Sequence, residues 1–146
     1  MSQTAASPSL PTIAFIGGGN MASAIIGGLI HQGQPASQIE VVEPWAEARE
    51  ALRKNYGIEA QAEAGPALQR AGIVVWAVKP QTFKDAAAQA KAHTQAALHL
   101  SVAAGIRSDS IAQWLGSERV VRTMPNTPAL VGKGMSALYA LSLIPI

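Results

Sequence analysis

The sequence predicts an α/β fold, a doubly wound parallel sheet with helices on both faces, and three observations predict it. Short runs rich in β-branched residues alternate with stretches whose apolar residues recur at helical spacing. Those short runs are apolar throughout and do not alternate with polar residues, as strands buried on both faces of a parallel sheet must be. The 146 residues, 49% apolar, suffice to bury one core of this kind and leave little room for a second domain.

Each element follows in order along the chain. Residues 1–10 are small and polar with Pro8, and are expected to be a disordered lead-in. Thr12–Ile16 is the first strand, ending at Gly17. Ala22, Ile25, Ile26, Leu29 and Ile30 then repeat at i, i+3, i+4, i+7 and i+8, which predicts a helix stopping before Gly33. Ile39–Val42 is a second strand. Pro44, at a first helical position, opens a stretch carrying Ala48, Ala51, Leu52 and Tyr56 that closes at Gly57. Residues 58–61 offer a third strand and 66–70 a short helix. Residues 73–78, Ile-Val-Val-Trp-Ala-Val, are the most apolar strand, stopped by Lys79 and Pro80. Phe83, Ala86, Ala87 and Ala90 share a helical face, 98–103 is again strand-like, Ser108 caps a helix through Leu115, and 119–122 forms a last short strand. No repeat of about 20 to 50 residues appears, which argues against a solenoid.

Composition excludes several functions. Eleven Lys and Arg against nine Asp and Glu give a net charge of +2, and the basic residues are spread without a run, so no nucleic-acid platform is expected. Without cysteine there is no disulfide framework and no thiol nucleophile. The first residues lack a basic n-region, and no apolar run approaches the ~18 residues of a membrane span, so a soluble, cytoplasmic protein is expected. His31, His93 and His99 lack metal-ligand spacing, and no metal site is expected; His31 suits the end of the first helix. Asp85 and Asp109 stand isolated and are read as solvated. Neither G-x-S-x-G nor a Walker lysine motif is present, which removes support for hydrolase and kinase chemistry. Charged residues make up only 14%, which suggests a surface normally covered by a further body.

The segment Gly17-Gly18-Gly19-Asn20-Met21-Ala22 contains G-x-G-x-x-A between a predicted strand and a predicted helix. The first glycine permits a tight turn, the second lets the main chain approach a pyrophosphate, and the small third residue lets the helix pack on the strand. A Rossmann-like site for NADP or NAD is the reading in this context; a structural turn is the plain alternative. Glu43 ends the second strand, 24 positions after Gly19, where a carboxylate can accept hydrogen bonds from ribose hydroxyls and repel a 2′-phosphate. A solvated loop acid is the alternative there, and Trp45 or Arg49 nearby can stack on adenine or neutralise a phosphate. Ala77, Val78, Lys79 and Pro80 lie at the carboxyl end of the strongest strand, the edge where open α/β sheets bind ligands. Ala103, Ala104 and Gly105 are small enough for a flat ring to approach, or merely for close packing. Pro125, Asn126 and Thr127 lie in Met-Pro-Asn-Thr-Pro, whose two prolines stiffen either a pocket wall or a plain turn. No catalytic side chain stands out.

Taken together, FIGGGNMA at 15–22, VVWAVKPQ at 74–81, SVAAGI at 101–106 and VVRTMPNTPALVGKGM at 120–135 resemble the pyrroline-5-carboxylate reductase family over roughly residues 12–140. The last string is the most specific, because a generic dinucleotide-binding domain has no need of it. The resemblance implies a dinucleotide-binding domain over 11–140 and reduction of the C=N bond of 1-pyrroline-5-carboxylate to L-proline with NADPH or NADH, in proline biosynthesis. It also implies a following helical domain that dimerises and supplies much of the substrate site, hence a homo-oligomer. Carried over, Gly17 to Ala22 would hold the pyrophosphate, Ala77 to Pro80 the ribose and nicotinamide side, and Ala103 to Gly105 would lie near the nicotinamide. Pro125 to Thr127 would shape the pocket where the substrate ring meets it. A protonated imine is already activated toward hydride, so no side-chain nucleophile is needed.

Three departures stand out. Ala64 replaces the Asn that many members carry before the fourth strand. Glu43-Pro44-Trp45 replaces a short polar and basic turn, which puts NADPH preference in question. After Ala140 the chain reads Leu-Ser-Leu-Ile-Pro-Ile and stops where the family continues into its helical domain. Residues 141–146 thus resemble a tail that need not be native, and this stretch alone is expected to be inactive. The alternatives are the cofactor domain of another imine reductase or of a β-hydroxyacid dehydrogenase, and a non-catalytic dinucleotide-binding fragment.

Overall fold

Residues 12–102, 106–117 and 119–122 are described by the structure, a computed structural model. The elements are β1 (Thr12–Ile16), α1 (Asn20–His31), β2 (Ile39–Val42), α2 (Ala46–Tyr56), β3 (Ala71–Trp76), α3 (Pro80–Ala90), β4 (Leu98–Ser101), α4 (Ser108–Leu115) and β5 (Val120–Arg122). The strands make one sheet in the order β2-β1-β3-β4-β5, and every pairing is parallel. The expected α/β fold is therefore present. Parallel pairing forces each connection to cross a face of the sheet, which is why the strands are apolar on both sides.

Two apolar layers result. On one face, Ile13, Phe15 and Val75 of the sheet meet Ala22, Ile25, Ile26 and Leu29 of α1 and Leu52 of α2. On the other, Ala14, Ile16, Val74 and Trp76 meet Phe83, Ala87 and Ala90 of α3 and Ile111 and Leu115 of α4. The helices divide in this way because the chain reverses its course. It travels outward from β1 to β2 and then to residue 61, which forms a single parallel bridge with Val42. It returns through the 3-10 turn Pro66–Arg70 to β3, on the other side of β1. Right-handed crossovers running in opposite directions along a sheet place their helices on opposite faces. The reversal falls between β1 and β3, whose last residues Ile16 and Trp76 are register partners.

Several boundaries differ from the sequence expectation. Residues 58–61 make no strand beyond the one bridge; Gly57 leaves α2 in the left-handed region at φ 70°, and of the four only Ile58 is buried. Beside Ile58 only the small, half-buried Ala60 packs on the core, which is little to anchor a ladder. The strand expected over 73–78 begins at Ala71 and ends at Trp76, and Pro80, expected to stop it, instead starts α3 at its first position. Pro44 lies outside α2, whose N-cap is Trp45 with an extended backbone. Ser108 is the first residue of α4 and Arg107 its N-cap. The expected lead-in at 1–10 and tail at 141–146 lie outside the described residues.

Candidate functional site

Open α/β sheets bind ligands outside the carboxyl ends of their strands, at the point where the strand order reverses. Here that point brings together the turn after β1 and the turn after β3. They are joined directly, since Ala77 N–H donates to Ile16 O at 2.9 Å, and Gly17 N–H donates to Val42 O at 2.8 Å, which ties the first turn to the end of β2 as well. A cavity of about 410 Å³ opens above them, lined by Gly17, Gly19 and Glu43 on one side and by Ala77, Val78 and Lys79 on the other.

The three glycines are not equivalent. Gly17 has φ +100°, and a Cβ there would lie 2.5 Å from Ala77 O, so both the backbone and the neighbouring rim require glycine. At Gly18 a Cβ would come within 2.9 Å of Leu52 Cδ1 and 3.1 Å of Glu43 Cβ. Gly19 is different: φ is −81°, nothing lies within 4 Å of an added Cβ, and the residue is exposed on the cavity as the N-cap of α1. Neither strain nor crowding explains a glycine at 19. The bare main chain there suits an N-cap and leaves space for a group to press against it. Asn20 and Met21 form the exposed first turn, where helical N–H groups have no intrahelical acceptor, and Ala22 is fully buried between helix and sheet. With no acidic residue in that first turn, the positive end of the helix is left for an anion.

Glu43 is half-buried and is not a solvated loop acid. Its Oε1 accepts from Gly18 N–H and its Oε2 from Trp45 N–H, both at 2.8 Å. Arg49 donates through one guanidinium nitrogen to the carbonyls of Glu43 at 2.9 Å and Pro44 at 2.7 Å, so it braces this loop from the side of α2. The Trp45 side chain is 62% exposed. On the opposite rim, Lys79 is the N-cap of α3, and its carbonyl accepts from both the N–H and the Oγ1 of Thr82 at 3.0 Å.

Two features went unseen in the sequence. Thr82, Asp85, Ala86 and Gln89 form one face of α3 and extend the cavity, together with Ala62 and Ala64 of the loop before β3. Their i, i+3, i+4, i+7 spacing is the signal that was there to find; it stands beside the apolar face of the same helix. Beneath the β3 rim, fully buried Trp76 stacks on Phe83 with ring centroids 4.8 Å apart, and its Nε1 donates to His99 Nδ1 at 3.0 Å. Burial pushes the His99 pKa down from 6.5 to about 4; the Thr94 main chain opposes it more weakly, and the charge of Arg119 adds a still smaller push downward. Its Nε2 has no hydrogen-bond partner among the described residues.

The structure thus gathers Gly17, Gly18, Gly19, Asn20, Met21, Glu43, Ala77, Val78, Lys79 and Pro80 around one end of the sheet, with Ala22 packed beneath. Ala103, Ala104, Gly105, Pro125, Asn126 and Thr127 lie outside the described residues. No helix among the described residues is long and apolar enough to cross a membrane.

Comparison with known proteins agrees with this geometry. The family described as NADP oxidoreductase, coenzyme F420-dependent, matches residues 12–105. A pyrroline-5-carboxylate reductase of Pseudomonas aeruginosa is 48% identical over 134 residues, covering 90% of this chain and 49% of the relative. Among solved structures, a pyrroline-5-carboxylate reductase from Coxiella burnetii superposes with a TM-score of 0.76 at 34% identity, covering 84% of this chain and 47% of that one. A pyrroline carboxylate reductase of Plasmodium falciparum with NADP bound gives 0.68 at 25% identity over 83% and 44%. The chain spans about half the length of the curated relatives it matches.

Proposed function

Because the chain belongs to the family of NADP oxidoreductases described as coenzyme F420-dependent, we propose that it is the nicotinamide-dinucleotide-binding part of a pyrroline-5-carboxylate reductase. The observation that carries the reading is Gly19, a glycine with neither strain nor crowding, at the open N-terminus of a 12-residue helix facing the switch-point cavity. The 48% identity to the Pseudomonas aeruginosa reductase supports the substrate, 1-pyrroline-5-carboxylate, and with it a role in proline biosynthesis.

The residues present fit a dinucleotide. Gly19 leaves the main chain bare where a pyrophosphate would press against it, the first turn of α1 turns its N–H groups toward that charge, and Gly17 keeps the two rims close. Ala77, Val78 and Lys79 form the opposite wall along which the rest of the molecule would lie. The cofactor, when bound, supplies a hydride. This chain's part is to align and to shield: its rims are fixed by main-chain hydrogen bonds and by the Glu43 and Arg49 side chains bonded to the loop backbone, which suits a reaction governed by the orientation of two rings. Ala103, Ala104 and Gly105 are proposed beside the nicotinamide, and Pro125, Asn126 and Thr127 at the substrate. The natural setting proposed is a cytoplasmic homo-oligomer.

Gly19→Val tests the reading. The variant is expected to stay folded with only a small drop in melting temperature, because its Cβ enters open space and the only cost is a poorer N-cap for α1, and to lose binding of both NADH and NADPH in fluorescence titrations. Titrations indistinguishable from wild type would overturn the assignment.

A further inference from the structure

We propose that this cleft selects NADH over NADPH and that Glu43 makes the choice, an inference that rests on the dinucleotide reading above. The family description speaks of NADP, and nothing in a glycine turn distinguishes the two cofactors. The distinction must come from whatever faces the adenosine ribose, at the end of β2. There the chain carries a carboxylate held at two points, by Gly18 N–H and Trp45 N–H, each at 2.8 Å. These bonds fix it in the cavity wall and tie it to the same turn that would take the pyrophosphate.

A pinned carboxylate treats the two cofactors differently. Each of its oxygens accepts one main-chain N–H and retains a second lone pair, so a neutral ribose hydroxyl can still donate to it. A 2′-phosphate has no proton to offer at neutral pH and brings up to two negative charges against one that cannot swing away. Repulsion between like charges held in a partly buried site exceeds that on an open surface.

For NADPH to be accommodated, a cation must offset Glu43. Arg49 is nearest in sequence on this side, and one of its nitrogens is bound to the carbonyls of Glu43 and Pro44, which holds the guanidinium to the loop backbone. Lys79 belongs to the other rim. It follows β3 while Glu43 follows β2, and β1 lies between them, so the two strand ends are about 10 Å apart at the usual strand spacing. Among the described residues no cation forms an ion pair with Glu43, so its charge has no direct offset in the cavity wall.

The experiment is a set of titrations of wild type, Glu43→Gln and Glu43→Ser with NADH and with NADPH, with melting temperatures recorded for each. Wild type is expected to bind NADH at least tenfold more tightly, equivalent to about 1.4 kcal/mol. Glu43→Gln keeps the size and one acceptor oxygen while removing the charge and the other acceptor, so NADPH affinity should rise several-fold and NADH affinity should fall, moving the ratio toward NADPH. Glu43→Ser should go further toward NADPH, and its loss of two loop hydrogen bonds would register as a lower melting temperature. Wild-type NADPH binding equal to or tighter than NADH binding would overturn this inference and leave the proposed function standing; so would an unchanged ratio in Glu43→Gln. Wild type that binds neither dinucleotide overturns the proposed function and this inference with it.

Discussion

The two faces of the sheet are packed with different materials. Under α1 and α2 the layer is mostly aliphatic, with Ile13, Ile25, Ile26 and Leu52 around Phe15, and the Tyr56 hydroxyl donates to Ser23 O at 3.3 Å. Under α3 and α4, Trp76 stacks on Phe83 at 4.8 Å, Phe83 meets Trp114 at 5.9 Å, and Trp76 is hydrogen-bonded to buried His99. The difference follows from what each face supports. Helix α1 has to approach β1 closely so that its first turn reaches the cleft, and small or aliphatic side chains such as Ala22 allow that. The β3 rim instead hangs from the end of a single strand, and Trp76, the last residue of that strand, is clamped by rings and by one polar bond. Aliphatic layers relax around small changes, whereas a ring stack that also satisfies a buried N–H has few alternative packings.

Phe83 touches both tryptophans and is fully buried. Phe83→Ala removes the ring from the middle of the stack, and truncations of this kind cost about 3–5 kcal/mol. Urea denaturation should find a loss of that size together with weakened dinucleotide binding, since the floor of the β3 rim goes with the ring. A loss near 1 kcal/mol would mean that the aromatic face relaxes as readily as the aliphatic one.

Next in size is the response to acid, which only one face should give. His99 titrates near 6.5 when unfolded and at about 4 when folded, so between those values the unfolded chain binds more protons and stability rises with pH. The contribution is fully present above about pH 6.5 and is lost as pH falls toward about 4, a span worth about 3 kcal/mol. His99→Gln has no titrating ring. The stability difference between wild type and this variant, from urea denaturation at several values between pH 7.5 and 4.5, should therefore shrink as the solution is acidified. A difference that stays constant with pH would show that His99 is not held neutral by its surroundings.

Both faces were legible in the sequence to different depths. Helical spacing at Ala22, Ile25, Ile26 and Leu29 and at Phe83, Ala87 and Ala90 identified the buried sides of α1 and α3, and the apolar runs identified β1 and β3. The glycine turn could be placed because its requirements are local. The union of Gly18 with Glu43 could not, because it joins residues 25 apart through a hydrogen bond that only the pairing of β1 with β2 brings into range. His99 was equally hidden: a histidine in a strand looks the same whether it faces water or a tryptophan, and the β3–β4 register that sets Val74 against His99 decides which. The bridge at Gln61 marks a limit of a different kind. Composition suggested a strand over 58–61, but the chain there turns outward after a single pairing with Val42.

The smallest change sharpens the contrast from the aliphatic side. Ile25 is 1% exposed and belongs to the layer between α1 and the sheet, where neighbouring methyl groups can shift to fill the space left by one carbon. Ile25→Val should cost about 1 kcal/mol, the usual range for removing a buried methylene. Unlike the His99 effect, this loss should be the same at pH 7.5 and at pH 5, because no histidine or carboxylate among the described residues belongs to the aliphatic layer to couple it to protons. Binding of the dinucleotide should be unaffected, since the first turn of α1 is set by Ala22 and by the open position at Gly19. Parallel urea curves at the two pH values, with a fluorescence titration at the higher one, measure all three quantities. A loss above about 2 kcal/mol, or one that grows on acidification, would mean that this face too is rigidly keyed and that the two layers do not differ as their composition suggests.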